Sequence, residues 1–131
     1  MIGIDTNVLV RYIVQDDESQ AAIATEVIEA CSIENPGWIS IIVLCETVWV
    51  LSRAYGYEKS VVQDVLRHIL CASDLVVEQR EQCLLALQAF AMGDADFSDY
   101  LMAHINREAG CEYTVTFDKK ASRYHFFQYL E

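Results

Sequence analysis

Apolar and polar residues fall along this chain in blocks whose spacing alternates between short strands and longer helices. A first apolar stretch, Met1 to Ile4, ends on the carboxylate of Asp5. Thr6-Asn7 can turn the chain and cap a helix from Val8 to Val14, which Gln15-Asp16-Asp17 breaks. Asp16 or Asp17 then caps a second helix, about Glu18 to Ala30, with Ala21, Ala24, Val27 and Ile28 facing inward. Asn35-Pro36-Gly37 is the strongest turn signal. Beyond it Trp38-Ile39 reads as a buried strand, and Ser40 caps a third helix, Ile41 to Tyr55. Gly56 suits that helix's C-terminus, and Glu58 to Leu70 forms a fourth on Val61, Val65, Leu66 and Ile69. Leu75-Val76-Val77 is a strand, and Glu81 to Met92 a helix packed through Leu84, Leu85, Leu87 and Phe90. After Gly93, Asp96 caps a last helix, placing Asp99 at its third position and turning Met102, Ile105 and Ala109 inward. Cys111 to Phe117 reads as a strand ending on Asp118, which repeats the arrangement at Asp5.

This order, β-α-α-β-α-α-β-α-α-β, predicts one α/β domain over residues 1–131 with a central, mostly parallel sheet and helices on both faces. Open parallel sheets bind ligands beyond the carboxyl ends of their strands. In one such sheet Asp5 and Asp118 would share a rim, with Asp99 one helix upstream. Glu46 lies about two turns into the helix after the second strand. From Ile41 to Leu51 only Glu46 and Thr47 are polar. The expectation is therefore a Glu46 sheltered from bulk water, and paired with a cation such as Arg53 or Arg11, protonated, or bound to a metal.

Composition narrows the chemistry. With 131 residues, 53% of them hydrophobic, the chain can bury a full core without staples. Cys31, Cys45, Cys71, Cys83 and Cys111 show no C-x-x-C pairing, which argues against a zinc site or a disulfide framework and for reduced thiols in a cytosol. No basic stretch precedes an apolar one at the N-terminus, and the apolar run Ile39 to Leu51 is too short to span a membrane. Nine basic residues against twenty acidic ones give a net charge of −11. That opposes nucleic-acid binding, unless several acids hold cations. Two carboxylates roughly 5 Å apart repel by about 3 kcal/mol at an effective dielectric near 20. Four converging carboxylates therefore need counter-ions. An all-oxygen set selects Mg²⁺ or Mn²⁺ over zinc, and a water on such an ion can attack a phosphodiester. No Gly-rich phosphate loop and no Ser-His-Asp or Cys-His arrangement competes; His68, His104 and His125 are dispersed. A phosphoaspartyl role for Asp5 would call for an acid two residues on, where Asn7 stands.

These positions carry a resemblance. Ile4-Asp5-Thr6-Asn7-Val8-Leu9, Glu46 in its apolar helix, Ala95-Asp96-Phe97-Ser98-Asp99 and Thr114-Val115-Thr116-Phe117-Asp118 are similar to the motifs of the PIN-domain ribonucleases, most of all the VapC toxins of prokaryotic toxin–antitoxin pairs. The resemblance implies a PIN-like three-layer fold and a cytoplasmic, Mg²⁺- or Mn²⁺-dependent endoribonuclease. It further implies a homodimer silenced by a VapB-like antitoxin. Position by position, Asp5, Glu46, Asp99 and Asp118 match the metal-binding acids and Asp96 a further one, while Asn7 and Thr116 match residues that orient the site. Arg11, Lys119 and Lys120 are candidate phosphate contacts, as are Arg107 and Arg123, against a reading as solvated surface charge. Two departures stand out: Tyr100, where the family often has a small residue, and Asp94, where a basic one is common. Two alternatives share the scaffold, an antitoxin-free RNA-maturation nuclease and a catalytically silent interaction module.

Overall fold

The computed structural model describes all residues, Met1–Glu131, and comprises two compact units, Met1–Glu78 and Gln79–Glu131. In the first, β1 (Ile2–Gly3), β2 (Gly37–Ile39) and β3 (Leu75–Val77) form a parallel sheet in the order β1-β2-β3. Ile2 stands opposite Gly37, and Gly37 opposite Leu75. Gly37 is closely packed: a Cβ there would lie 3.0 Å from Leu75 Cδ2 and 3.2 Å from Ile4 Cγ1, so those side chains would have to give by a few tenths of an ångström.

Each strand hands over to a helix pair, α1 (Thr6–Val14) with α2 (Glu18–Glu29), then α3 (Ile41–Arg53) with α4 (Lys59–Cys71). α1 packs on both α2 and α3. Side-chain caps start α2 and α3: Asp17 accepts from Gln20 N at 3.0 Å, and Ser40 from Val43 N at 3.3 Å. Glu78, just past β3, adds a second cap to α3 by accepting from Ile41 N at 2.9 Å.

The second unit packs α5 (Arg80–Met92) against α6 (Phe97–Glu108). Phe90 meets Phe97 edge to face, ring centroids 5.9 Å apart. β4 (Thr114–Thr116) then pairs in parallel with β5 (Phe127–Tyr129), and a 3₁₀ turn, Ala121–Arg123, lies between them. Every strand pair is thus parallel, as expected of the α/β class, but β4 pairs with β5 and not with β1–β3, so the single sheet that would give Asp5 and Asp118 a common rim is not formed. No helix is long and apolar enough to cross a membrane.

Several local expectations change. Helix α1 begins at Thr6, not Val8, because Asp5 itself is its cap. β4 is confined to three residues, and Phe127–Tyr129, where the pattern predicts no strand, form a fifth. The buried face of α4 is Val62, Leu66, Ile69 and Leu70, with Val61 exposed. On α5 it is Cys83, Ala86, Leu87 and Phe90, and Leu85 is 44% exposed. Small Cys83 and Ala86 let α6 approach, which outweighs the larger leucines. On α6, Phe97, Tyr100, Leu101 and Ala103 are buried, whereas Met102 and Ala109 face outward. The stripe is set by Tyr100, whose ring goes inward because its hydroxyl finds a partner there. Ile42 and Trp49 on α3 are 73% and 61% exposed, so the apolar run of that helix covers a surface as well as a core.

Candidate functional site

In the first unit the strand-end acid and the helix acid are each held by a short local device. Asp5 leaves β1 in extended conformation and accepts the Asn7 amide at 3.2 Å, capping α1. Thr6, the first residue of that helix, is buried with Leu9 and Val10. Its hydroxyl donates to Glu46 Oε1 at 2.8 Å and ties α1 to α3. Glu46 is exposed, contrary to the expectation of a sheltered carboxylate, because it shares the outward stripe of α3 with Ile42 and Trp49. No cation meets it. Arg11 is engaged by Gln20 at 2.7 Å, Asp16 at 3.2 Å and Tyr55 at 3.2 Å. Asn7 contributes its backbone amide to the Asp5 cap and stands exposed beside it.

The second unit gathers three acids. Asp96 is the N-cap residue of α6, and Asp99, one turn in, reaches back to accept Asp96 N at 3.3 Å. Asp118 follows β4 and folds its own turn: Oδ1 accepts from Lys120 N at 2.8 Å and Ala121 N at 3.0 Å. Its amide donates to Thr116 Oγ1 at 2.9 Å, which gives Thr116 a defined part in fixing Asp118. Burial pushes the Asp99 carboxyl above the usual carboxylate range; the Asp96 backbone bond pulls it down, and the charges of Asp96 and Asp118 push it up again. Lys119 and Lys120 are exposed and form no ion pair with these acids.

The chain's ion pairs all use other carboxylates: Asp16 with Arg11 at 3.2 Å, Asp64 with Arg67 at 2.8 Å, and Asp94 with Arg123 at 2.6 Å. Asp94 is therefore matched by a cation of its own. Asp5, Glu46, Asp96, Asp99 and Asp118 have none. In neither unit are three or more His, Cys, Asp or Glu side chains grouped to hold a metal ion. The carboxylates of each unit are anchored by neutral hydroxyl and amide donors, and oxygen ligands of this kind suit a hard divalent cation.

The role of Thr6 escapes motif reading, although its spacing to Leu9 and Val10, i, i+3 and i+4, marks it as inward-facing. Tyr100, which the sequence marks only as a departure from the family pattern, has a structural part. It is buried, accepts the Ala95 amide at 3.2 Å, and so fixes the backbone immediately before Asp96. Gly93 makes room for it, since a Cβ there would collide with the Tyr100 hydroxyl.

Compared with known proteins, the chain matches no curated protein. A family model, the PIN domain, matches residues 2–126, a span that takes in both units and all five acids. The chain belongs to the PIN-domain family, whose members are generally nucleases.

Proposed function

We propose that this protein is a divalent-metal-dependent endoribonuclease and the toxin of a toxin–antitoxin pair, with Asp5, Glu46, Asp99 and Asp118 as its catalytic acids and Asp96 as an auxiliary one. The observation that carries the reading is a group of acids in the second unit. Asp96 and Asp118 stand close enough to Asp99 for their charges to oppose its ionisation, and none of the three forms an ion pair. Acids held in place yet uncompensated are what a cation site requires.

The residues divide the work. Asp5, Glu46, Asp99 and Asp118 would hold Mg²⁺ or Mn²⁺; Thr6 and the Asn7 amide orient the carboxylates of Glu46 and Asp5, and Thr116 fixes the backbone of Asp118. When bound, the ion supplies Lewis acidity to water and phosphate and offsets the repulsion between RNA and a chain of charge −11. Lys119 and Lys120, exposed beside Asp118, are placed to meet flanking phosphates. The toxin assignment rests on the resemblance to VapC proteins. A cognate antitoxin would present a basic segment to the acids, where an arginine pairs well with carboxylates.

The purified chain, freed of any partner, should cleave single-stranded RNA with Mg²⁺ or Mn²⁺ and lose activity in EDTA. Robust cleavage in EDTA contradicts the metal role. Expression alone should arrest growth, and co-expression of the neighbouring small gene should relieve it. Cleavage without growth arrest would move the antitoxin-free RNA-maturation reading ahead.

A further inference from the structure

Beside the acids of the second unit lies a cavity of about 690 Å³, to which nothing above gives a purpose. Its volume falls within the roughly 300–1,000 Å³ of sites that enclose small organic groups. Leu85 and Met92, both exposed, form an apolar lip. Deeper in, Tyr124 stands edge to face with Tyr100, centroids 5.0 Å apart, and exchanges a hydrogen bond with His104 Nε2 at 2.7 Å. Around these rings are the Gln88 amide and the Arg123–Asp94 pair.

We propose that this cavity takes one unpaired nucleobase of the RNA strand, next to the phosphate handled by Asp96 and Asp99. The proposal rests on the nuclease reading for its substrate and on the cavity for its geometry. Gly93, Asp94 and Tyr100, which line the cavity, bracket Asp96 and Asp99 in the same loop and first helical turn, so an occupant lies beside the segment that carries the acids. The chemistry also fits a base better than an apolar side chain. Gln88 offers a donor and an acceptor on one amide, Asp94 an acceptor, and Arg123 a planar array of donors. Tyr124 adds aromatic surface, on which any base can stack. A purely apolar guest would strand those polar groups away from water. Tyr100 is central to the shape, since a small residue in its place would remove one of the two rings and the support of the loop.

The test uses the full chain, isotope-labelled and kept in EDTA, so that it does not depend on cleavage. Titration with the four nucleoside 5′-monophosphates should produce saturable amide shifts at Ala89, Gly93 and Tyr124, with one base preferred. Gln88→Trp, a change at an exposed position of α5 that fills the cavity, should weaken that binding by about tenfold or more. Equal shifts with ribose 5-phosphate would mean an anion on Arg123 alone and would overturn the proposal. So would silence toward all four monophosphates, including the case where a protein partner shields the cavity instead. Base binding in a chain that cleaves no RNA would support the pocket while removing the nuclease reading.

Discussion

At the scale of single residues, two threonines with opposite circumstances give the sharpest expectations. Thr6 has its partner: the hydroxyl reaches Glu46 Oε1 at 2.8 Å. Thr6→Val keeps the shape and removes the bond, so stability should fall by about 1 kcal/mol. Metal affinity should fall more noticeably, by roughly 10–100-fold, as expected when an orienting group is lost. Titration calorimetry with Mn²⁺ checks this, and unchanged affinity would show that Thr6 only packs. Thr47, one residue after Glu46, is 1% exposed and its hydroxyl has no partner. A buried hydroxyl without a hydrogen bond is a net cost, so Thr47→Val should raise stability by about 1 kcal/mol. A urea midpoint that moves down instead would reveal a bond made in solution.

The element that governs the second unit is α6 with the loop before it. Tyr100→Phe keeps the ring but orphans the buried Ala95 amide, which should cost about 1–3 kcal/mol in denaturant unfolding. At the far end of the same buried stripe, His104 bonds Tyr124. Burial, then the charge of His125, holds the His104 imidazole below its ordinary value. The unfolded chain therefore binds a proton first, and stability falls as pH drops through about 6.5, levelling off below the folded-state value. Asp99 runs the other way. Its raised carboxyl protonates first in the folded protein, so its contribution rises on the acid side, down to the ordinary carboxylate range. Melting temperature should drop between pH 7.5 and 5.5, and His104→Asn should flatten that drop; an identical slope in the variant would clear His104.

These elements also show what a sequence can convey. The caps Asp17, Ser40 and Asp96 were legible because their chemistry is local. The order of strands and helices and the strand-end position of Asp118 followed from periodicity and turn signals. Inward faces were less legible. The stripes of α5 and α6 depend on which neighbour arrives, and a bonded tyrosine or a small cysteine can outrank a leucine. β5 stayed hidden because aromatic tails fill cores and strands alike, and only its partner, β4, decides. Glu46 misled for a related reason, since an apolar run implies burial only when both of its faces are covered.

Over the whole molecule, charge is the dominant physical fact. A protein of −11 meets a polyanion only if cations intervene, so RNA cleavage should depend steeply on the divalent ion. The family match, residues 2–126, extends over parts of both units. Asp99 is proposed to serve a metal beyond its place in the capping box of α6. Melting curves of the parent and of Asp99→Asn, each in EDTA and in Mn²⁺, test it most directly. Removing one charge should relieve repulsion from Asp96 and Asp118, leaving the metal-free variant as stable as the parent or more so. Mn²⁺ at a hundredfold excess over its dissociation constant should stabilise the parent by about 2.7 kcal/mol and the variant far less. A variant that is less stable in EDTA by the ~0.3–1 kcal/mol of a lost first-turn acid, and that still gains the full Mn²⁺ shift, would contradict the account.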